Sequence, residues 1–349
     1  MGKIDIKSMT LPELEELLKT EFGEPKFRAK QLFKWLQSGA VDFEQMTNLS
    51  KDFRANLAEK TYIATAVIER KLVSKIDGTI KYLYRLYDGE YVESVLMKYN
   101  HGYTICISTQ VGCRMGCSFC ASGQNGLFRN LTASEMLSQI MTASIDNSVR
   151  ISNVVLMGMG EPLDNFDNTM RFLELVSNED GLGIGMRHIS LSTSGVVSGI
   201  YKLAEYNLPI TLSVSLHSAI NEVRSKMMKV NNKWCVEELL KACKYYQNVT
   251  TRRISFEYAL ISGVNDTPEA AKVLAEKLKG IMCHVNLIPA NPVDETDFVK
   301  PNAENIIKFQ KMLEKYGLTV TVRRTLGADI NASCGQLRRK TIKEGKGDI

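Results

Sequence analysis

The sequence predicts an α/β protein, a partial TIM-like barrel of six βα units, (βα)6, preceded by a small helical accessory module. Three observations carry that prediction. From about residue 103 to 325, apolar strand-like runs alternate with amphipathic helical stretches. Residues 1–60 show helical spacing of apolar side chains and no strand alternation. The polar groups suited to chemistry fall just past the carboxyl ends of the strands, where parallel barrels build their sites.

In chain order, helical spacing appears at Leu11 to Leu18, then in "FRAKQLFKWLQ", where Phe27, Leu32, Phe33 and Leu36 recur, then in "KDFRANLAEK". Residues 61–102 read as connecting strands, "TAVIERKLVS" and "TIKYLYRLYDGEYVESVLMKY", with Asp77-Gly78 and Asp88-Gly89 as turn signals. The barrel strands, across 103–325, are "YTICIS", "ISNVVLMG", "HISLSTS", "ITLSVSLH", "ISFEYAL", "HVNLIP" and "LTVTVRR". Helices are expected between them near Ala133 to Ile145, Asn168 to Val176, Val197 to Tyr206, Val236 to Tyr246, Pro268 to Leu278 and Ala303 to Tyr316. Thr267-Pro268 is a strong helix start, a hydroxyl at the N-cap and proline at the first helical position. One-handed βα winding makes a parallel sheet curving toward a barrel the natural closure. Residues 326–349 form a C-terminal loop and a basic tail, "RRKTIKEGKGDI".

Composition narrows the function classes. With 44% hydrophobic and 24% charged residues in 349, the chain has an ordinary soluble composition. The first residues carry charges every few positions without an apolar signal region, and no run is long enough to cross a bilayer. A cytoplasmic protein is expected, monomeric by default. There thiols stay reduced, so the eight cysteines argue against a disulfide scaffold and for metal or catalytic use of some. A net charge of +5 permits a nucleic-acid partner without demanding one. Residues 1–60 hold ten basic and ten acidic side chains, so Lys26, Arg28, Lys30 and Lys34, interleaved with Phe27, Phe33 and Trp35, are a weak RNA signal, the aromatics reading first as a helical core, and the basic residues from Arg323 to Lys346 are an equally good candidate surface.

The strongest local signal is "TQVGCRMGCSFCASG", which places Cys113, Cys117 and Cys120 within eight residues. A structural zinc site wants four ligands, usually as two separated pairs, and no second pair exists; Cys235, Cys243 and Cys283 stand alone and read as core thiols. Three thiolates on one loop can hold three irons of a [4Fe–4S] cluster and leave the fourth iron open to a ligand. The residues by themselves leave zinc or an incidental cluster open.

The C-x3-C-x2-C spacing after the first strand of a βα array resembles the radical S-adenosylmethionine (SAM) superfamily, with Phe119 as the aromatic residue before its last cysteine. The resemblance implies that the open iron chelates the amino and carboxylate groups of SAM, which is cleaved to a 5′-deoxyadenosyl radical. "MGMGEP" resembles the superfamily's glycine-rich SAM motif, so Gly160 and Glu161 are expected to contact SAM, and Ser192, Ser215, Leu216, His217 and Asn291 match further SAM positions.

"ICISTQVGCRMGCSFCASGQNGLFRNLTASE", "GMGEPL", "SLHS", "NLIPANP" and "NASCGQL" together resemble the dual-specificity RNA adenine-C2 methyltransferases, which modify 23S rRNA at adenosine 2503 and tRNAs at adenosine 37. The similarity runs from Glu93 to Leu337. It implies that Cys334 carries a methyl group delivered by one SAM, that a second SAM generates the radical that activates this methyl, and that Cys106 resolves the resulting RNA–Cys334 adduct by forming a disulfide. Glu93 matches the family's proton acceptor. 23S rRNA, tRNA and an electron donor such as flavodoxin or ferredoxin are the implied partners. The related C8-methylating resistance enzymes share these cysteines. A non-enzymatic iron–sulfur or zinc RNA-binding protein is the alternative from another class; it would need a complete ligand set and no SAM-binding strand ends.

Overall fold

A computed structural model describes residues 2–123, 126–289, 299–332 and 337–338. The chain begins with β1 (Ile4–Asp5), a 3-10 turn at Ile6–Ser8, α1 (Leu11–Phe22), α2 (Lys26–Gln37), α3 (Lys51–Lys60) and β2 (Thr61–Tyr62), which pairs with β1 in parallel. Local chemistry explains the starts: Thr10 and Glu13 form a capping box on α1, and the Ser50 hydroxyl accepts from the Phe53 N–H on α3. In α2 the spacing predicted from sequence buries Leu32, Phe33 and Leu36, whereas Phe27 points outward at 55% exposure.

Next come β3 (Val67–Val73), β4 (Ile80–Arg85), β5 (Tyr91–Tyr99), β6 (Gly102–Cys106), β7 (Gln110–Gly112), β8 (Leu127–Asn130) and α4 (Ala133–Asn147). The βα array continues through β9 (Ile151–Leu156), α5 (Phe166–Val176), β10 (Ile189–Thr193), α6 (Val197–Glu205), β11 (Thr211–Ser215), α7 (Asn221–Met227) and α8 (Val236–Thr250). It ends with β12 (Ile254–Leu260), α9 (Pro268–Leu278), β13 (Cys283–Pro289), α10 (Ala303–Lys315) and β14 (Val320–Val322).

One sheet of ten strands runs β14-β13-β12-β11-β10-β9-β6-β5-β4-β3. From β6 to β14 every pairing is parallel, so six crossovers wind in series and the barrel stays open, as the sequence predicted. The strands over 61–102 are not a separate layer: β3, β4 and β5 extend the same sheet antiparallel from β6. The helical module packs directly against the barrel: Leu14, Leu32 and Phe33 belong to the same apolar core as Val154, Leu191 and Phe256. Two elements had no periodicity to announce them. The β7–β8 hairpin flanks the cysteine loop, and α7 is only seven residues long.

Candidate active site

The segment after β6 is fixed by side chains from other elements. Gln139 of α4 accepts from the Ser108 N–H (2.9 Å) and donates back to its carbonyl (3.0 Å). Asn165 donates to the carbonyls of Thr109 and Leu131 at 2.9 and 2.8 Å. The cysteine loop then leaves β7 through Gly112, whose φ of 78° and close approach to the Gly126 carbonyl exclude a Cβ. The Cys113 N–H donates to that carbonyl, and the Ser118 N–H donates to the Met227 carbonyl at the end of α7. The loop is therefore tied at both shoulders.

Cys113, Cys117 and Cys120 line one cavity of about 400 Å³ at the carboxyl ends of the parallel strands. Gly160, Glu161, Ser192, Ser215 and His217 line it too, as do Cys106, Met97 and Ala332. Seven parallel strand ends thus deliver to one place groups that are far apart in sequence. Leu216 differs: its side chain is wholly buried in the core, and it offers its carbonyl to Arg224. Asn291 and Cys334 lie outside the described residues. Ala332, two residues before Cys334, packs against the small cluster formed by Val95, Met97 and Cys106.

The thiols fit a metal cluster. Burial pushes the Cys113 thiol up to about 12, with Glu161 and Cys120 nearby adding to the shift. Burial and the other two cysteines likewise raise Cys117 far above the usual thiol range. Thiols held protonated by their surroundings become ligands when metal cations replace the protons. Among the described residues no three thiol, carboxylate or imidazole groups stand close enough together to hold a single metal ion, but three thiols on one loop opening onto a shared cavity have the chemistry to hold a cluster with one uncommitted iron.

The strand ends fit SAM. The Glu161 carboxylate accepts the Ser194 N–H at 2.7 Å and the Leu163 N–H at 3.1 Å, while burial raises its pKa against those bonds. Such a carboxylate is poised to meet an ammonium group. The Ser194 hydroxyl, also on the cavity wall, is buried beside the Glu161 carboxylate and can serve a polar ligand. His217 sits at φ 55°, and its Nδ1 accepts from the Ala259 N–H at 2.8 Å. Its proton therefore sits on Nε2. Burial, with Arg224 adding to it, lowers its pKa to about 3, and its ring meets Phe119 edge-on at 4.9 Å.

Some site residues gave no local signal in the sequence. Arg224 is wholly buried and donates to the carbonyls of Leu216, Ser194 and Ser215 and to the Asn231 side chain, tying the ends of β10 and β11 together. Gln110 accepts from the Glu161 N–H at 2.9 Å. Glu257 brings a second buried carboxylate to the cavity, held by Ser255 and Asn286. These groups act through main-chain contacts to distant segments, which leave no spacing to read.

Glu93 is placed unlike a solvated strand glutamate. It is buried on β5 and paired with Lys81 at 3.0 Å, and its other carboxylate oxygen accepts the Arg338 N–H at 2.6 Å. It is not among the residues lining the cavity.

Comparison with known proteins agrees with this geometry. The radical SAM superfamily matches residues 107–275, and the ribosomal RNA large subunit methyltransferase N-terminal domain matches residues 4–63. A protein of Alkaliphilus oremlandii named probable dual-specificity RNA methyltransferase RlmN is 56% identical over 98% of this chain and 100% of its own length. The chain belongs to the RlmN family. Another RlmN relative, from Clostridioides difficile, is 50% identical over 97% of this chain and 98% of its own length. A crystal structure of a radical SAM methyltransferase from Sphaerobacter thermophilus superposes with a TM-score of 0.91 at 43% identity, covering 95% of this chain and 98% of that one. RlmN membership spans both the helical module and the barrel. Among the described residues no helix is long and apolar enough to cross a membrane.

Proposed function

We propose that this chain methylates C2 of adenosine in RNA, at position 2503 of 23S rRNA and position 37 of tRNA, through a methyl group carried on Cys334. The observation that carries the reading is the shared cavity: the three loop cysteines, the SAM-type strand ends, Cys106 and Ala332 all line it. C2 of adenine is an electron-poor sp2 carbon without a lone pair, so it cannot take a methyl from SAM by displacement. A cysteine thiolate can, which is why the methyl is first carried on a protein sulfur.

Cys113, Cys117 and Cys120 would hold a [4Fe–4S] cluster, and Gly160, Glu161, Ser192, Ser215, His217 and Asn291 would surround SAM. Bound there, the two supply a carbon-centred radical able to take hydrogen from a methyl group. Cys334 would take its methyl from one SAM, and activation of that methyl would need a second, with electrons from a donor such as flavodoxin or ferredoxin. The Cys334 methylene, one hydrogen atom short, would bond to C2, and the adduct would then give up one electron to the oxidised form of the donor and its C2 hydrogen as a proton. The Cys106 thiolate then attacks the Cys334 sulfur: an S–S bond forms, the C–S bond breaks, and its electron pair stays on the methylene, which takes a proton to become the methyl product. Cys106 lies buried beside the cavity, beneath the segment that leads to Cys334. Glu93, the proton acceptor that the resemblance implies, would first have to release Lys81 or the Arg338 N–H, so we give removal of the C2 proton to the Cys106 thiolate, which passes it to the departing methylene as it attacks the Cys334 sulfur. The exposed face of α2 around Phe27, in the 1–60 module, is proposed to contact RNA in the cytoplasm.

The test is anaerobic reconstitution with iron and sulfide, incubation with methyl-labelled SAM and unmodified 23S rRNA, and nucleoside mass spectrometry. Formation of 2-methyladenosine is expected; 8-methyladenosine, or SAM cleavage with neither product, overturns the reading. Cys106→Ala is expected to accumulate RNA joined to Cys334, seen as a shifted band on a denaturing gel, and clean product release by that variant removes Cys106 from the mechanism.

A further inference from the structure

An ion pair with almost no solvent contact joins two strands outside the cavity wall. Lys81 on β4 and Glu93 on β5 approach to 3.0 Å, with 1% and 0% of their side chains exposed. Burying such a pair carries a heavy desolvation cost for each ion, and well-packed apolar residues in its place are often neutral or stabilising. Stability is therefore a poor reason for it, and its remaining hydrogen bonds show a different use.

Lys81 Nζ donates to the carbonyl of Asn331 at 3.0 Å. Glu93 Oε1 accepts the main-chain N–H of Arg338 at 2.6 Å. Asn331 and Arg338 lie on either side of Cys334 in the chain. The same approach is braced further: Asp77 accepts the Gly327 N–H at 2.8 Å, Asp329 accepts the Ser74 hydroxyl at 2.6 Å, and the Arg338 guanidinium reaches Glu90 at 2.8 Å. Strands β4 and β5 and the turn between β3 and β4 thus grip the C-terminal segment at several main-chain atoms. The ion pair takes one atom on each side of Cys334.

We propose that Lys81 is a positioning residue: locked to Glu93, it fixes the main chain at Asn331 and Arg338 and so sets where Cys334 meets the cavity. The inference rests on the reading of Cys334 as the methyl carrier. A charged pair suits this task because each partner is itself held by the other, so neither anchor swings. An apolar pair would fill the same space and hold neither main-chain atom.

The experiment compares wild type, Lys81→Met and the double variant Lys81→Met/Glu93→Leu, which removes both charges and so avoids leaving one buried alone. Three readouts are taken: RNA methylation, cleavage of SAM to 5′-deoxyadenosine, and the rate at which iodoacetamide alkylates Cys334 in the folded protein without iron or SAM. Cys243, which is fully buried, reports unfolding in the same peptide map. Lys81→Met is expected to load iron and cleave SAM as wild type does, while RNA methylation falls about a hundredfold, the scale of loss for a reacting group displaced by roughly an ångström. In both variants Cys334 alkylation should change by about tenfold with Cys243 still protected, as expected when a local anchor worth one hydrogen bond is lost.

Wild-type methylation in Lys81→Met together with a wild-type alkylation rate in the double variant overturns the proposal. A double variant that does not fold makes the pair a folding element and overturns it equally. If instead Cys334→Ala still methylates RNA, the methyl-carrier reading fails while the alkylation result stands on its own.

Discussion

Gly160 shows how much one residue can decide. Its φ is 105°, and a Cβ there would stand 2.7 Å from the Gln110 main-chain nitrogen and 2.6 Å from its Cβ. The next residue, Glu161, donates its N–H to the Gln110 side chain, so the SAM-type turn and the strand leading to the cysteine loop are built against each other. Gly160→Ala must strain the backbone and part the two segments, a cost of about 1–3 kcal/mol. The expected outcome is a protein that still takes up iron but binds SAM far more weakly, measured by equilibrium binding beside a melting curve; wild-type affinity in that variant would refute the assignment. A Gly-rich strand end alone more often marks a tight turn, and this glycine was singled out in the sequence only by the resemblance of "MGMGEP" to the superfamily's SAM motif. Cys113, Cys117 and Cys120 were legible directly, because their spacing is itself the signal. Lys81, Gln110 and Arg224 were not, because each serves main-chain atoms of a distant segment and looks like an ordinary polar residue in its own.

At the scale of elements, the junction between the N-terminal turn and α4 hangs on Lys7. Lys7 is 2% exposed, and its ammonium donates to the Ala64 carbonyl and to the Ser138 hydroxyl on α4. Burial outweighs the attraction of Asp5 and Glu135 and lowers its pKa from 10.5 to about 8. Between those values the unfolded chain holds a proton that the folded protein has released, so stability rises with pH across the interval. The contribution is complete above pH 10.5 and is lost as pH falls through about 8, a swing of about 3 kcal/mol. Urea unfolding of wild type and Lys7→Met across this range is expected to give a difference that grows with pH in favour of wild type. A constant difference would mean that Lys7 stays charged when folded. The same junction marks the limit of what periodicity can reveal. The helix beginning at Pro268 is found where the Thr-Pro start placed it, and α4 begins at Ala133 as expected. The β7–β8 hairpin was invisible because three- and four-residue strands carry no usable alternation.

For the whole molecule, the sequence separates a helical module, a set of connecting strands and a barrel by texture, and texture does not report docking. Composition changes near residue 60 and again near 103, yet one core and one sheet run through both places. The module is joined to the barrel by more than apolar contact: Asp5 accepts from the Ser134 hydroxyl, Glu13 pairs with Arg171 at 2.6 Å, and Ile6 is fully buried. Burying a single such aliphatic side chain contributes about 1.5–3 kcal/mol, against a net stability of about 5–15 kcal/mol for a typical domain. Removing residues 1–60 therefore strips apolar cover from α4 and α5 and leaves the Lys7 partners Ala64 and Ser138 unmatched, a loss comparable with the whole margin. The full chain is expected to unfold in one calorimetric transition, and a protein starting at residue 61 to melt well below it or not to fold. Two separate transitions in the full chain, or a truncated barrel melting with the intact one, would show that module and barrel are independent units and that the shared core contributes little to either.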